Sequence, residues 1–272
     1  MQALPSLNSD YELTPEQILQ YQRDGHLLLR QVCSAEEMAE YRDAIRTVVA
    51  DFARTQNDLT ERDTYGRAFL QLVNVWTQNA LLKKFVFAQR FARLAAQLSC
   101  AQVVRLYHDQ ALFKESGGGL TPWHQDQHYW PLDTRQAITM WMPLVDVSQE
   151  MGSMDFASGS HANGYLAKLA ISDQSQTHFQ ALVEKQGFPI FQSGDMRAGD
   201  ATFHNGWTLH RAGPNLSQRV REVMTVIYYP DGTRLLQPDH ANRREDFEAF
   251  YPGKKPGELA ASELTPVLLR ET

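Results

Sequence analysis

Residues 201–229 read ATFHNGWTLHRAGPNLSQRVREVMTVIYY. Two apolar runs, ATFHNGWTLH and REVMTVIYY, flank a polar connection that holds Gly213, Pro214 and Asn215. Val, Ile, Thr, Tyr and Phe at this density suit a pleated, half-buried surface rather than a helix. The same texture extends back to about residue 101. AQVVRLYHDQALFK (101–114) has strand content and is broken by ESGGG (115–119). AITMWMPLV (137–145), GSMDF (152–156) and FPIF (188–191) are further short runs between turn residues. Many short strands without alternating helices indicate a sandwich or a closed barrel such as a jelly roll.

The first hundred residues read differently. Thr14-Pro15-Glu16-Gln17 is a capping box with Pro at the first helical position, and Gly25 should stop that helix before the short strand HLLLRQV. Ser34-Ala35-Glu36-Glu37 is a second capping box. Met38, Tyr41, Ile45, Val48 and Phe52 follow it at the spacing of one buried helix face. Phe87, Phe91, Leu94 and Leu98 repeat that spacing in a third helix, while 55–67 reads as a polar connection. With no linker before the strands, we expect one domain over 1–272. It comprises a helical part (about 1–100), a jelly-roll core (about 101–230) and a surface tail with a short helix (231–272). The fold class is mainly β with helices (α+β), the N-terminal helices packing on the sheet.

Composition excludes several classes. The 272 residues carry 26 Lys plus Arg against 32 Asp plus Glu, a net charge of −6, so no basic surface for nucleic acid is expected. No apolar run approaches a membrane span. The opening stretch MQALPSLNSDYELTPEQ lacks the basic and apolar regions of a signal peptide. Two cysteines, Cys33 and Cys100, cannot make a disulfide framework or a thiolate zinc site, which points to a reducing cytoplasm.

The one His-x-Asp in the chain is His124-Gln125-Asp126, fed by Gly117-Gly118-Gly119 and Thr121-Pro122. In an extended segment, residues i and i+2 point to one side, so one imidazole and one carboxylate can reach a single ion. His210 supplies a second imidazole from a later segment. Two His and one carboxylate leave positions open, which is the ligand set of non-heme Fe(II) oxygenases. Arg221, eleven residues beyond His210, opens an apolar strand, where an unpaired charge would be costly without an anionic partner.

These residues resemble the phytanoyl-CoA dioxygenase family of Fe(II)/2-oxoglutarate oxygenases. The likeness rests on Trp123-His124-Gln125-Asp126, His210 with Gly213-Pro214-Asn215, Arg221, the opening Leu13-Thr14-Pro15-Glu16-Gln17, Tyr21 with Asp24-Gly25, and Gly159-Ser160-His161. It implies a double-stranded β-helix (cupin-like jelly roll) and a cytoplasmic dioxygenase using Fe(II), 2-oxoglutarate and O2. Such an enzyme hydroxylates or otherwise oxidises a C–H bond of a small organic molecule and releases succinate and CO2. His124, Asp126 and His210 would be the iron ligands, and Arg221 would clamp the distal carboxylate of 2-oxoglutarate. Lys114, His108 and Gln110 on the preceding strand, with Trp141 on the next, would assist the cosubstrate. Position 212 is Ala where relatives often carry a Ser. Asp126 also fills the place that related halogenases leave to chloride. Which small molecule is oxidised, and in what oligomeric state, is not written in the sequence.

Trp130, Tyr129, Phe156 and Trp207 lie beside these ligands and are candidate substrate contacts, with core packing as the ordinary role of aromatic residues in a barrel. His204 has the parity of His210 and suits a supporting role. His161 suits a turn. Arg219 is a second candidate clamp, and Trp76 with Asn74 a candidate for the pocket mouth. The spacing HQDQH (124–128) mimics a helical zinc protease site but lacks the Glu that serves as base. Arg243-Arg244-Glu245-Asp246 reads as a solvated face. A metal-binding jelly roll without turnover is the alternative of another class. It would bind metal yet make no succinate.

Overall fold

The computed structural model describes residues 7–270; residues 1–6, where the stretch read against a signal peptide begins, and 271–272 lie outside it. In chain order the elements are α1 (Pro15–Asp24), β1 (His26–Leu29), α2 (Ala35–Ala53), α3 (Thr64–Ala68), β2 (Leu70–Val73), α4 (Ala80–Val86), α5 (Gln89–Ser99) and β3 (Val103–Lys114). They continue with β4 (Thr121–His124), β5 (Leu132–Asp133), β6 (Ile138–Pro143), β7 (Met154–Ala157), α6 (Asp173–Gln186), β8 (Ile190–Gln192), β9 (Ala201–Asn205) and β10 (His210–Ala212). The last are β11 (Arg221–Pro230), β12 (Arg234–Leu235), α7 (Ala241–Phe250) and β13 (Val267–Arg270).

Local chemistry sets the helix ends. The hydroxyl of Thr14 accepts from the Gln17 amide while the Gln17 side chain accepts from the Thr14 amide at 2.9 Å, closing the capping box of α1. Ser34 and Glu37 repeat the pattern at α2. α1 stops at Gly25, whose φ of 75° is left-handed; a Cβ there would also collide with His161 and Thr208.

Two antiparallel sheets carry the fold. The larger has the order β1-β9-β6-β11-β3-β13, with β2 beside the other end of β3, and the smaller has the order β4-β10-β7-β8. Strand parity assigns each face. Met224, Val226 and Tyr228 of β11 join Leu106, Ala111 and Met140 in a core built with Tyr41, Ile45, Phe85, Phe91 and Leu98 of the helical layer. The alternate residues Arg221, Val223, Thr225 and Ile227 face the smaller sheet. There Val223, Leu112 and Trp141 pack against Met154, Phe156 and Ala212. The fold is the double-stranded β-helix with helices on the larger sheet.

Three parts differ from the sequence reading. α6 interrupts the strand series: Phe179 and Val183 bury against Trp123, and its Gln176 and Gln180 accept from the Trp123 amide and indole at 3.0 and 2.8 Å. A helix that serves as backing for one strand leaves no periodic signal among the strands. The segment 231–272 is not simply a surface tail, because β13 pairs with β3 and α7 buries Phe247 and Phe250 against Tyr107 and Tyr229. The stretch 55–67, read as a polar connection, contains the start of α3, capped by Asp63 accepting from the Gly66 amide at 2.7 Å.

Candidate active site

His124 ends β4 and His210 starts β10, and the two are Cα partners across the smaller sheet. Their rings lie 4.1 Å apart between centroids. Nδ1 of His124 donates to the Pro122 carbonyl at 2.7 Å, and Nδ1 of His210 to the Thr208 carbonyl at 3.0 Å. A carbonyl can only accept, so each ring keeps its Nε2 lone pair free. Both Nε2 atoms face Oδ1 of Asp126, at 3.4 and 3.5 Å. The turn after β4 turns Asp126 toward them, and one ligand atom from each of the three residues lies within 4.8 Å of the others. The chemistry of this donor set fits one divalent ion with open positions.

The outer oxygen of Asp126 is held separately. Thr139 Oγ1 donates to Oδ2 at 2.9 Å, and Nε2 of His204 lies 3.2 Å from the same atom. His204 therefore orients the carboxylate, matching the supporting role expected from its parity. Burial pushes Asp126 up, but His210, His124 and His204 outweigh it and hold the carboxyl well below the usual range. Burial and the neighbouring His124 keep His210 neutral, the form that binds a metal.

Arg221 lies deeper. It is 1% exposed, stacks over Trp141 at 5.3 Å and donates one bond, to the Gly152 carbonyl at 2.5 Å. Among the described residues its buried Nε has no partner. Burial pulls its pKa down to about 9, and among the described residues no carboxylate pairs with it. The next residue, Glu222, points to the opposite face and pairs with Arg42 and Arg46 of α2. A buried cation with an orphaned donor at the end of a cavity fits a dicarboxylate. Lys114, the cross-strand partner of Arg221, behaves otherwise. Its ammonium donates to the Gly119 carbonyl, Thr121 Oγ1 and the Gly213 carbonyl at 2.5, 3.1 and 2.9 Å. It knots the two loops below the site and does not reach the cavity. Arg219, the other candidate clamp, is exposed on the loop before β11.

The family model for phytanoyl-CoA dioxygenase matches residues 21–223. The chain belongs to the phytanoyl-CoA dioxygenase family. Its members are dioxygenases that use Fe(II), 2-oxoglutarate and O2, and this chain is one of them. An ectoine dioxygenase of Bordetella parapertussis is 23% identical over 267 residues, covering 88% of this chain and 85% of that protein. Phytanoyl-CoA dioxygenase 1 of Oryza sativa subsp. japonica is 23% identical over 249 residues, covering 79% and 88%. Among solved structures, the epimerase SnoN in complex with Fe3+, α-ketoglutarate and nogalamycin RO superposes with a TM-score of 0.76 at 24% identity, over 93% of this chain and 98% of that one. The carbocyclase SnoK from nogalamycin biosynthesis gives 0.75 at 24% identity, over 94% and 96%.

In this family member a cavity of about 510 Å3 opens from the metal-ligand cluster. His108, Gln110 and Trp141 line it, as do Tyr129 and Trp130. Phe156 does not: it packs behind the ligands, 6.1 Å from the His210 ring and 4.8 Å from His26. Trp207 lies outside, against Tyr165 at 5.4 Å, because the turn after β9 carries it to the far side. Trp76 packs on Phe87 and, like Asn74, is absent from the lining. His128 stacks on His240 at 4.2 Å in a 3-10 turn, so HQDQH is not helical and no zinc protease geometry forms. His161 ties its turn to the Gln22 carbonyl at 3.2 Å.

The residues missed from sequence come from three elements, α3, β2 and α7, of which α3 and α7 fall in or next to stretches read as a polar connection and a surface tail. Asp63, Tyr65, Phe69 and Gln71 reach the cavity from α3 and β2, and Asn242, Glu245, Asp246 and Phe250 from α7. Arg243 is buried, and Asp246 is half-buried in the cavity wall, which corrects the solvated-face reading for those two, while Arg244 and Glu245 are exposed, Glu245 at the cavity rim. Only docking of α7 on Tyr107 reveals it, and local charge pattern carries no such signal.

Proposed function

We propose that this enzyme hydroxylates a C–H bond of a small organic molecule bound between β2, α7 and the turn after β4. In this reading His124, Asp126 and His210 hold the iron, and Arg221 holds the far carboxylate of 2-oxoglutarate. The observation that carries it is the buried Arg221, without an anionic partner among the described residues, at the end of the cavity that the candidate metal cluster borders.

Iron bound with 2-oxoglutarate supplies the activation of O2 and the oxidising power, with succinate and CO2 as coproducts. The chain's own residues do the rest. His204 and Thr139 keep one oxygen of Asp126 turned toward the imidazoles. Arg221 fixes the cosubstrate by its remote end, which orients the keto acid without blocking the ion. Trp141, Leu112 and Val223 keep the inner compartment dry, strengthening the clamp. Ala212 lines this compartment with a methyl group, so the hydroxyl that many relatives place there is missing. Tyr129, Trp130 and Phe250 present an apolar wall for the carbon skeleton of the substrate.

Asp126 leaves no room for a halide ligand, which favours oxygen insertion over halogen transfer. The single acceptor molecule is a small metabolite in the cytoplasm, consistent with the two unpaired cysteines Cys33 and Cys100. The deciding experiment is anaerobic reconstitution with Fe(II), then O2 and 2-oxoglutarate over a metabolite panel. Succinate and a product heavier by one oxygen are expected, and metal binding without succinate would refute the reading.

A further inference from the structure

We propose that Asp246 is a substrate-recognition residue, and that the molecule oxidised carries a cationic nitrogen, a protonated amine or amidinium, which this carboxylate meets at the cavity wall. The inference rests on the oxygenase reading of the cavity and deepens it by naming the class of substrate.

Asp246 sits in the middle of α7 and lines the cavity. One oxygen, Oδ2, accepts from the Tyr107 hydroxyl at 2.7 Å. Among the described residues no Lys, Arg or His pairs with it, and burial pushes its pKa up to about 7. It lines the same cavity as Asp126 of the candidate metal cluster, with Tyr65 and Tyr129.

The surroundings suit a cation. The Tyr107 ring that anchors Asp246 packs on Trp130 at 5.5 Å and Phe250 at 4.9 Å, and both of these face the cavity. Asp63 and Glu245 add negative charge to the same lining. The nearby cations are spoken for. Arg243 turns away to Asp239 and the Gln127 carbonyl. Arg211 pairs with Asp155 at 3.0 Å and lies over Trp123. Arg221 stands at the opposite end, over Trp141. A carboxylate between aromatic faces, with no competing cation, recognises alkylammonium groups. An anionic substrate would meet only repulsion there.

The test uses the full chain and three probes of one shape: cyclohexylamine, cyclohexanol and cyclohexanecarboxylate. Binding is followed by ligand-observed NMR with Zn(II) in place of iron, so that it does not depend on turnover. The amine is expected to bind about tenfold more tightly than the alcohol, and Asp246→Asn to abolish that preference while leaving the alcohol unchanged. Asp246→Glu should retain it. Equal or absent binding of amine and alcohol by the unmodified protein overturns the proposal, as does an Asp246→Asn variant that keeps the preference. A tighter alcohol would assign Asp246 to donating a hydrogen bond as a neutral acid, also against the proposal. Succinate release, measured separately with Fe(II), reports on the oxygenase reading itself, so the two can fail independently.

Discussion

Arg221 and Lys114 face each other across the β3–β11 pairing, both wholly buried, yet Nζ of Lys114 has three protein acceptors while Nε of Arg221 has none among the described residues. Like charges directly opposite on a sheet oppose folding, and burial together with the facing Arg221 pulls the Lys114 pKa down to about 6. The pair is therefore tolerated for different reasons on its two sides: loop anchoring for the lysine, an outside anion for the arginine.

Arg221→Leu should stabilise the ligand-free protein, because an unpaired buried cation is exchanged for an apolar side chain. The gain expected is about 1–4 kcal/mol. At this chain length that raises Tm by several degrees, at roughly 2–4 °C per kcal/mol. The same variant should lose the rise in Tm that 2-oxoglutarate with metal gives the unmodified protein. Differential scanning fluorimetry reads both effects, and a persisting 2-oxoglutarate shift would move the clamp elsewhere.

Lys114→Met should do the reverse. It strands the carbonyls of Gly119 and Gly213 and the Thr121 hydroxyl. Each unsatisfied buried group costs about 1–3 kcal/mol. A lower urea midpoint is expected, with the KM for 2-oxoglutarate nearly unchanged at low temperature. A large rise in that KM would show that Lys114 touches the cosubstrate.

His204→Asn removes the ring that orients Asp126 while leaving the three metal donors in place. Metal affinity should fall by about 10–100-fold, as for other partners that orient a ligating group. Anaerobic Fe(II) titration checks this. His124→Ala, Asp126→Ala or His210→Ala should instead abolish binding, and unchanged affinity in His204→Asn would make the 3.2 Å contact incidental.

Burial raises Asp246 and Asp109 to about 7. Each then holds a proton in the folded state that the unfolded chain has already released. The stability they contribute is fully present below the unfolded carboxyl range near pH 4 and is lost as pH rises through 7. Asp246→Asn should thus gain stability over the unmodified protein as pH goes from 5 to 8. Urea unfolding at the two pH values measures the difference, and a difference independent of pH would show that Asp246 titrates normally.

Much of the site was legible because ligand chemistry is local along the chain. His124 and Asp126 are two residues apart on one extended segment, and capping boxes announce α1 and α2 by side chains three residues distant. Arg221 was legible because a charge opening an apolar strand demands a partner. Trp207, three residues before His210, and Phe156, the cross-strand partner of His210, were read as substrate contacts but lie outside the cavity lining. Proximity to a ligand in sequence says nothing about which side of a sheet or turn a ring takes.

The amino-acid order by itself pointed to the strand-rich core, the helical layer, the three candidate metal donors and the buried arginine, since each follows from alternation, capping or the cost of an unpaired charge. Only the tertiary structure decided that α3, β2 and α7 wall the cavity, that His204 meets the outer oxygen of Asp126, and that Asp246 lines the same cavity. These relationships join segments 50 to 180 residues apart in roughly the same few ångströms, and such long-range closure depends on how whole faces pack rather than on any local pattern.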